Sequence, residues 1–212
     1  SPRADPPWAG PAPVTPFRLW TTPDGGPCRG DTPLYVHYHS TVWGRPEYDD
    51  LALFEKLCLD GQQAGLSWIT ILRKQENYRA AYDHFDPEKI VQYDESTVEE
   101  LLSNPGIIRN RLKVQSIIKN ARGYLDLRDK GTGFSGFLWS FVEHQPIQNR
   151  WRSFSEVPTA TPESEAMSKA LKRAGFTFVG PTIVYAFMQA TGMVNDHLVA
   201  CPQHRECYLL SQ

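Results

Sequence analysis

Leu57-Cys58-Leu59-Asp60-Gly61-Gln62-Gln63-Ala64-Gly65-Leu66-Ser67-Trp68 is the stretch that decides how this chain is read. Just upstream, Leu51, Leu53, Phe54, Leu57 and Cys58 fall at helical spacing after Asp49-Asp50, a pair suited to an N-cap. Downstream, Ser67 fits the cap of a second helix whose inner face holds Trp68, Ile71 and Leu72. Between them stand one carboxylate, two primary amides and two glycines. Glycine there implies a sharp turn or a close approach by another part of the chain. A carboxylate and amides beside an apolar helix end are what a polar-lined pocket requires. The same pattern fits a plain helix–turn–helix corner in which Asp60 is a solvated or capping residue.

Outward from this pivot, helix signals follow in series. Asp86-Pro87 supplies a cap and a first-turn proline. Ser96 with Glu99 resembles a capping box ahead of Leu101-Leu102. Leu112, Ile117, Ile118, Ala121 and Leu125 mark a longer helix closed by Gly131, and Phe137, Leu138, Phe141 and Val142 form a further apolar face. Thr161-Pro162 opens a helix that ends at Gly175. No strand series emerges, so the expected class is all-α. Residues 1–26 are proline-rich and read as an extended arm, 27–205 as the folded domain, and 206–212 as a tail.

Bulk properties narrow the function classes. In 212 residues, 41% hydrophobic and 22% charged, there is material for one large domain or two small lobes of ordinary globular composition. No apolar run approaches the roughly 20 residues of a membrane span, which points to a cytoplasmic or nucleoid-associated protein, or a nuclear one in a eukaryote. A net charge of −2 means that any nucleic-acid surface is a local patch. Four cysteines are too few for a disulfide scaffold of this length, so burial or metal ligation is the expectation for them.

Three constellations carry possible chemistry. Cys28 and His39 lie near the start of the folded body and His197-x-x-x-Cys201 near its end. Two thiolates and two imidazoles suit a closed tetrahedral zinc site, with His197 and Cys201 on one side if that turn is helical. A buried thiol pair, or Cys207 in place of Cys201, fits the spacing as well. Tyr35, Tyr38, Trp43 and Trp68 are either core plugs or the walls of a slot for a planar base, with Asp60 and the Gln62-Gln63 amides reading its edge. The turn Gly175-Phe176-Thr177-Phe178-Val179-Gly180-Pro181-Thr182 joins two helical patterns. It is a simple connection, or a helix N-terminus whose free N–H groups hold a DNA phosphate.

Ordered blocks then point to a known family. These are Pro33-Leu34-Tyr35-Val36, Tyr38-His39, Trp43-Gly44, Gly61 through Thr70, and Glu76-Asn77-Tyr78-Arg79-Ala80. Gly106-Ile107-Ile108-Arg109, Trp139-Ser140-Phe141-Val142, Phe178-Val179-Gly180 and Asn195-Asp196-His197 follow in the same order. From about Cys28 to Cys201 the chain resembles 3-methyladenine DNA glycosylase I, the TAG branch of the helix-hairpin-helix glycosylases. The resemblance implies a two-lobed helical monomer with a groove for double-stranded DNA and a structural Zn2+ on Cys28, His39, His197 and Cys201. It places Tyr35, Tyr38, Trp43 and Trp68 on the base pocket and Gly65, Leu66 and Ser67 in the loop that enters the duplex. Phe178, Gly180 and Thr182 fall on the DNA-gripping hairpin. The implied chemistry is monofunctional hydrolysis of the N-glycosidic bond of a flipped, alkylated purine, leaving a free base and an abasic site.

The departures from the family pattern cluster at the pocket. Asp60 stands where the family has a glutamate that reads the base edge and assists catalysis. Arg29-Gly30 replace a tryptophan, Ser40-Thr41-Val42 replace acidic residues, and His37 replaces a small residue. These changes suggest a wider or differently charged pocket. Three readings stand: excision of 3-methyladenine with Asp60 in the glutamate's role; excision of a bulkier N3- or N7-alkyl purine, such as the adduct of a natural-product genotoxin; and binding of a damaged base without cleavage.

Overall fold

The computed structural model describes residues 32–131 and 133–212. Eleven α-helices are described: α1 (Pro33–Thr41), α2 (Asp50–Gln62), α3 (Trp68–Arg73), α4 (Gln75–Ala81), α5 (Pro87–Ile90), α6 (Glu95–Leu102), α7 (Arg111–Lys130), α8 (Gly133–Trp139), α9 (Pro162–Arg173), α10 (Pro181–Ala190) and α11 (Pro202–Leu210). The expected helical class holds. The one addition among the described residues is a parallel pair of two-residue strands, β1 (Ile147–Gln148) and β2 (Val194–Asn195). No described helix is long and apolar enough to cross a membrane.

Capping chemistry sets most helix starts. Asp49 accepts from the Ala52 N–H at 2.8 Å to open α2, and Asp86 from the Glu88 N–H at 3.0 Å to open α5. Thr161 and Ser164 form a reciprocal capping box around Pro162. The expected box at Ser96 and Glu99 is not the start of α6. Asp94 caps it two residues earlier, its carboxylate accepting from the Thr97 N–H at 2.9 Å and from the Thr97 hydroxyl at 3.1 Å. The expected tail after residue 205 is not separate either. Residues 206–210 continue α11, and Cys207 there is buried. The arm 1–26 lies outside the described residues.

Helix α2 is the centre of the core. Leu53, Phe54, Leu57, Cys58 and Leu59 are all buried, and the helix packs against α7, α8 and α10. Its C-terminal end is buried as well, so its free carbonyls need internal donors. Lys113 of α7 provides them: its Nζ donates to Gln62 O at 2.8 Å and to Ala64 O at 2.6 Å. A cation there also complements the negative end of the helix dipole.

The turn between α9 and α10 is fastened at three points. The Thr177 N–H donates to Asn120 Oδ1 at 2.9 Å, the Ser168 hydroxyl donates to Val179 O at 2.6 Å, and Phe176 stacks on Phe134. Gly61 and Gly123 let this turn lie directly on α2 and α7. A Cβ on Gly61 would meet Phe178 at 3.1 Å, and one on Gly123 would meet the Phe176 ring at 2.5 Å. Gly123→Ala is therefore expected to lower unfolding free energy by about 1–3 kcal/mol through overpacking, read as a shift in urea midpoint. An unchanged midpoint would mean that the turn is not pressed on α7.

Candidate active site

The α2 sequence carries Asp60 inward on the face opposite its solvated edge, and α3 brings Trp68 across from it. Asp60 is 1% exposed at its side chain and Lys56, one helical turn earlier, is 14% exposed. Lys56 Nζ donates to Asp60 Oδ1 at 2.6 Å. The same Nζ lies 3.5 Å from the Trp68 ring centroid and 5.8 Å from that of Tyr38. Asp60 Oδ2 is buried and has no hydrogen-bond partner among the described residues, and neither has Trp68 Nε1. The site is thus a carboxylate, a cation and an aromatic face in contact, with polar capacity left over.

Burial pushes both members of the pair toward their neutral forms. It raises the Asp60 carboxyl above its ordinary range, against the pull of Lys56, and lowers the Lys56 ammonium, against the pull of Asp60. Burial and the Asp60 charge together raise the Tyr38 hydroxyl, which keeps it protonated.

Lys56, Trp68 and Tyr38 line a cavity of about 390 Å³, inside the range of roughly 300–1,000 Å³ usual for small-molecule sites. Thr41 and Val42 line it too, as do Arg45, Glu47 and Glu55. Asp60 does not line this cavity; it lines a separate, smaller space of about 40 Å³ with Gly65, Leu66 and Ile183. Lys56, which lines the large cavity and holds Asp60 Oδ1, stands between the two.

Several expected site residues do not line the large cavity. Trp43 packs against imidazoles, 4.7 Å edge-on from His197 and 6.3 Å from His39, and it does not line the large cavity; nor does Tyr35, which is buried nearby. The Gln62 amide reads no base edge. It accepts from the Tyr78 hydroxyl and donates to Lys113 O and Ser116 Oγ, holding α2, α4 and α7 together. Ser67 begins α3 without a side-chain cap bond, its hydroxyl pairing with Thr70. Gly65 is exposed at a positive φ, and His37 is exposed on α1. Phe178, Gly180 and Thr182 are half-buried along the fastened turn and the start of α10.

His39, His197 and Cys201 converge, with ligand atoms within 4.8 Å of one another and all three residues buried. His197 and Cys201 are not on a helix, as their spacing suggested. A turn brings them together, and Cys201 begins α11. His197 Nε2 donates to Trp43 O at 2.8 Å, which leaves Nδ1 facing Cys201 Sγ at 3.8 Å. Burial lowers His39 to about 4 and His197 to about 3, so both imidazoles are neutral at physiological pH, as a metal ligand must be. Cys207 is buried outside this group. Cys28 lies outside the described residues.

Lys56 is the site residue that the sequence reading missed. Its signal was present: a lysine four residues before an aspartate on one helix meets it on one face.

An acid and a cation held on an indole face beside a cavity make a site whose chemistry suits a planar or cationic ligand. The comparisons narrow the class. The methyladenine glycosylase family model matches residues 28–204. DNA-3-methyladenine glycosylase 1 of Escherichia coli strain K12 is 56% identical over 169 residues, covering 80% of this chain and 90% of that protein. A crystal structure of 3-methyladenine DNA glycosylase I superposes with a TM-score of 0.82 at 52% identity, covering 84% of this chain and 98% of that one. A variant of such an enzyme in complex with 3-methyladenine superposes with a TM-score of 0.81 at 40% identity, covering 82% and 94%. The chain belongs to the methyladenine glycosylase family.

A buried ion pair is retained at a cost in desolvation. The double variant Lys56→Met/Asp60→Leu is accordingly expected to unfold at the same or a higher urea concentration than the wild type. A loss of more than about 1 kcal/mol would show that the pair holds the fold rather than the site.

Proposed function

We propose that this protein hydrolyses the N-glycosidic bond of 3-methyladenine flipped out of duplex DNA. The observation that carries the reading is the placement of Lys56: a positive charge already rests on the Trp68 face against Asp60. An N3-alkylated adenine in DNA is a cation with a planar face, and the same two partners suit it. Because the base starts positively charged, it leaves neutral when the C1′–N bond breaks toward it. Water then adds to C1′ and releases a proton to solvent. Little general-acid help is needed. Asp60 stabilises the oxocarbenium-like charge and orients the base, in a slot from which most water is excluded.

The remaining roles follow from position. Tyr38 and Trp68 form the walls of the pocket, while Tyr35 and Trp43 support it from behind. Gly65, Leu66 and Ser67 border Asp60 on its far side and fill the gap that the extruded nucleotide leaves. Phe178, Gly180 and Thr182 present the turn before α10 to a phosphate, in the manner of a helix-hairpin-helix protein. His39, His197 and Cys201, with Cys28, hold a structural zinc ion. Cys201 is disulfide-bonded in the structure; once reduced, its thiolate and the neutral imidazoles make a donor set that suits that metal, and an ion there would clip the two ends of the domain together.

A second reading draws on the cavity beside Trp68, which has room for a larger N3 or N7 substituent. Release assays on duplexes bearing 3-methyladenine or a bulky N3-alkyl adduct separate the two. Release of 3-methyladenine is expected, falling by about a hundredfold or more in Asp60→Asn with an unchanged unfolding midpoint. Release of the bulky base alone would replace the first reading with the second. Protein purified without chelators is expected to carry one zinc per chain, and stripping the metal to lower its thermal midpoint by several degrees. Native protein free of zinc would defeat the clip.

A further inference from the structure

Neither the carboxylate chemistry nor the stacking walls require Lys56, yet its ammonium occupies both partners. Nζ is 2.6 Å from Asp60 Oδ1 and 3.5 Å from the Trp68 centroid. A purine stacked on that face needs atom-to-atom distances of about 3.5–4 Å, so the ring and the ammonium cannot share it. The Tyr38 and Trp68 centroids are 5.5 Å apart with the rings tilted by 40°, which leaves no gap between them for a third ring. Asp60, at 1% exposure, cannot shed its counter-ion without leaving a buried charge uncompensated.

We propose that Lys56 is a tethered stand-in for a positively charged base: the substrate enters by exchange, taking the ammonium's place on Trp68 and Asp60. The lysine stem is long and flexible, and it borders the cavity that Glu47 and Glu55 line, which offers the displaced charge acidic surroundings. Exchange makes Lys56 a specificity-determining residue. A cationic purine restores the charge that Asp60 loses when Lys56 leaves. An undamaged, neutral purine does not, and its entry strands the carboxylate. Every ligand must overcome the displacement of Lys56, and only a cation is compensated for it. The inference rests on the reading of this slot as the alkylpurine site.

The test uses the full chain and two free nucleobases: 3,9-dimethyladeninium, a permanent cation, and neutral 9-methyladenine. Lys56 is acylated with a water-soluble reagent, and its labelling is quantified by peptide mass spectrometry as each ligand is added. Exchange predicts that the cation raises Lys56 labelling several-fold while 9-methyladenine leaves it unchanged. Labelling that stays flat or falls with the cation overturns the proposal. Lys56→Met, with nothing to displace, is expected to bind both ligands more tightly, by about tenfold. Weaker or equal binding of the cation would instead make Lys56 a direct partner of the base and also overturn the proposal. Base release by the wild type separates the two levels. A protein that releases 3-methyladenine while its Lys56 labelling falls on ligand binding loses the exchange alone. One that releases no base and binds neither ligand loses the function as well.

Discussion

The contact between Lys56 and Asp60 exists because one helix has to be core and carry a carboxylate as well. Helix α2 packs on α7, α8 and α10, and its last turn is as buried as its middle. A carboxylate in that turn has almost no access to water, so its charge has to be met from within the protein. Lys56 meets it from the same helix, at the separation that stacks two side chains on one face. Trp68 then shields the pair with a ring face that also attracts cations. The electrostatics of the site are a direct consequence of where the hydrophobic core was built.

The surrounding polar residues fix the position of that turn. Lys113 and the Gln62 amide tie the end of α2 to α7, and the Tyr78 hydroxyl joins the same network. Asn120 and Ser168 hold the turn before α10 so that Phe178 lies on Gly61, next to Asp60. The turn before α10 and the acid are therefore braced against one another through a glycine. A second buried carboxylate, Asp196, does similar work near the C-terminus. It accepts from Asn149, Trp151, Gln189 and Tyr185, and it stabilises the segment that presents His197.

Much of this was legible in the sequence. The helical periodicity around Leu53, Phe54 and Leu57 and the caps at Asp49, Asp86 and Thr161 all correspond to observed elements, since these signals are local. The glycines of the pivot were read as a sharp turn or a close approach, and at Gly61 the structure has the close approach. The convergence of His39 with His197 and Cys201 was implied by the family resemblance, residue type having left Cys207 open as well; the turn that achieves it was not, because residues four apart meet on a helix or in a tight turn alike. The roles assigned to Gln62 and Trp43 were less legible. An amide beside a buried acid and an indole beside a tyrosine carry no label for which way they face, and packing from α4, α7 and the imidazoles decided it. Lys56 escaped notice because a lysine on an amphipathic helix ordinarily faces solvent.

Helix α1 places neighbouring residues in two different environments: Tyr38 borders the aromatic slot, and His39 belongs to the imidazole–thiolate cluster. Gly44, just beyond, has a φ of +85°, and a Cβ there would sit 2.8 Å from His197 Nε2. One short helix thus works like a hinge plate screwed down on both sides. A rotation that loosened the cluster would turn the slot wall with it, so the alignment of the aromatic ring is indexed to the far end of the chain. Drift in the C-terminal segment, remote in sequence from any reacting atom, becomes a change in how the pocket is gauged.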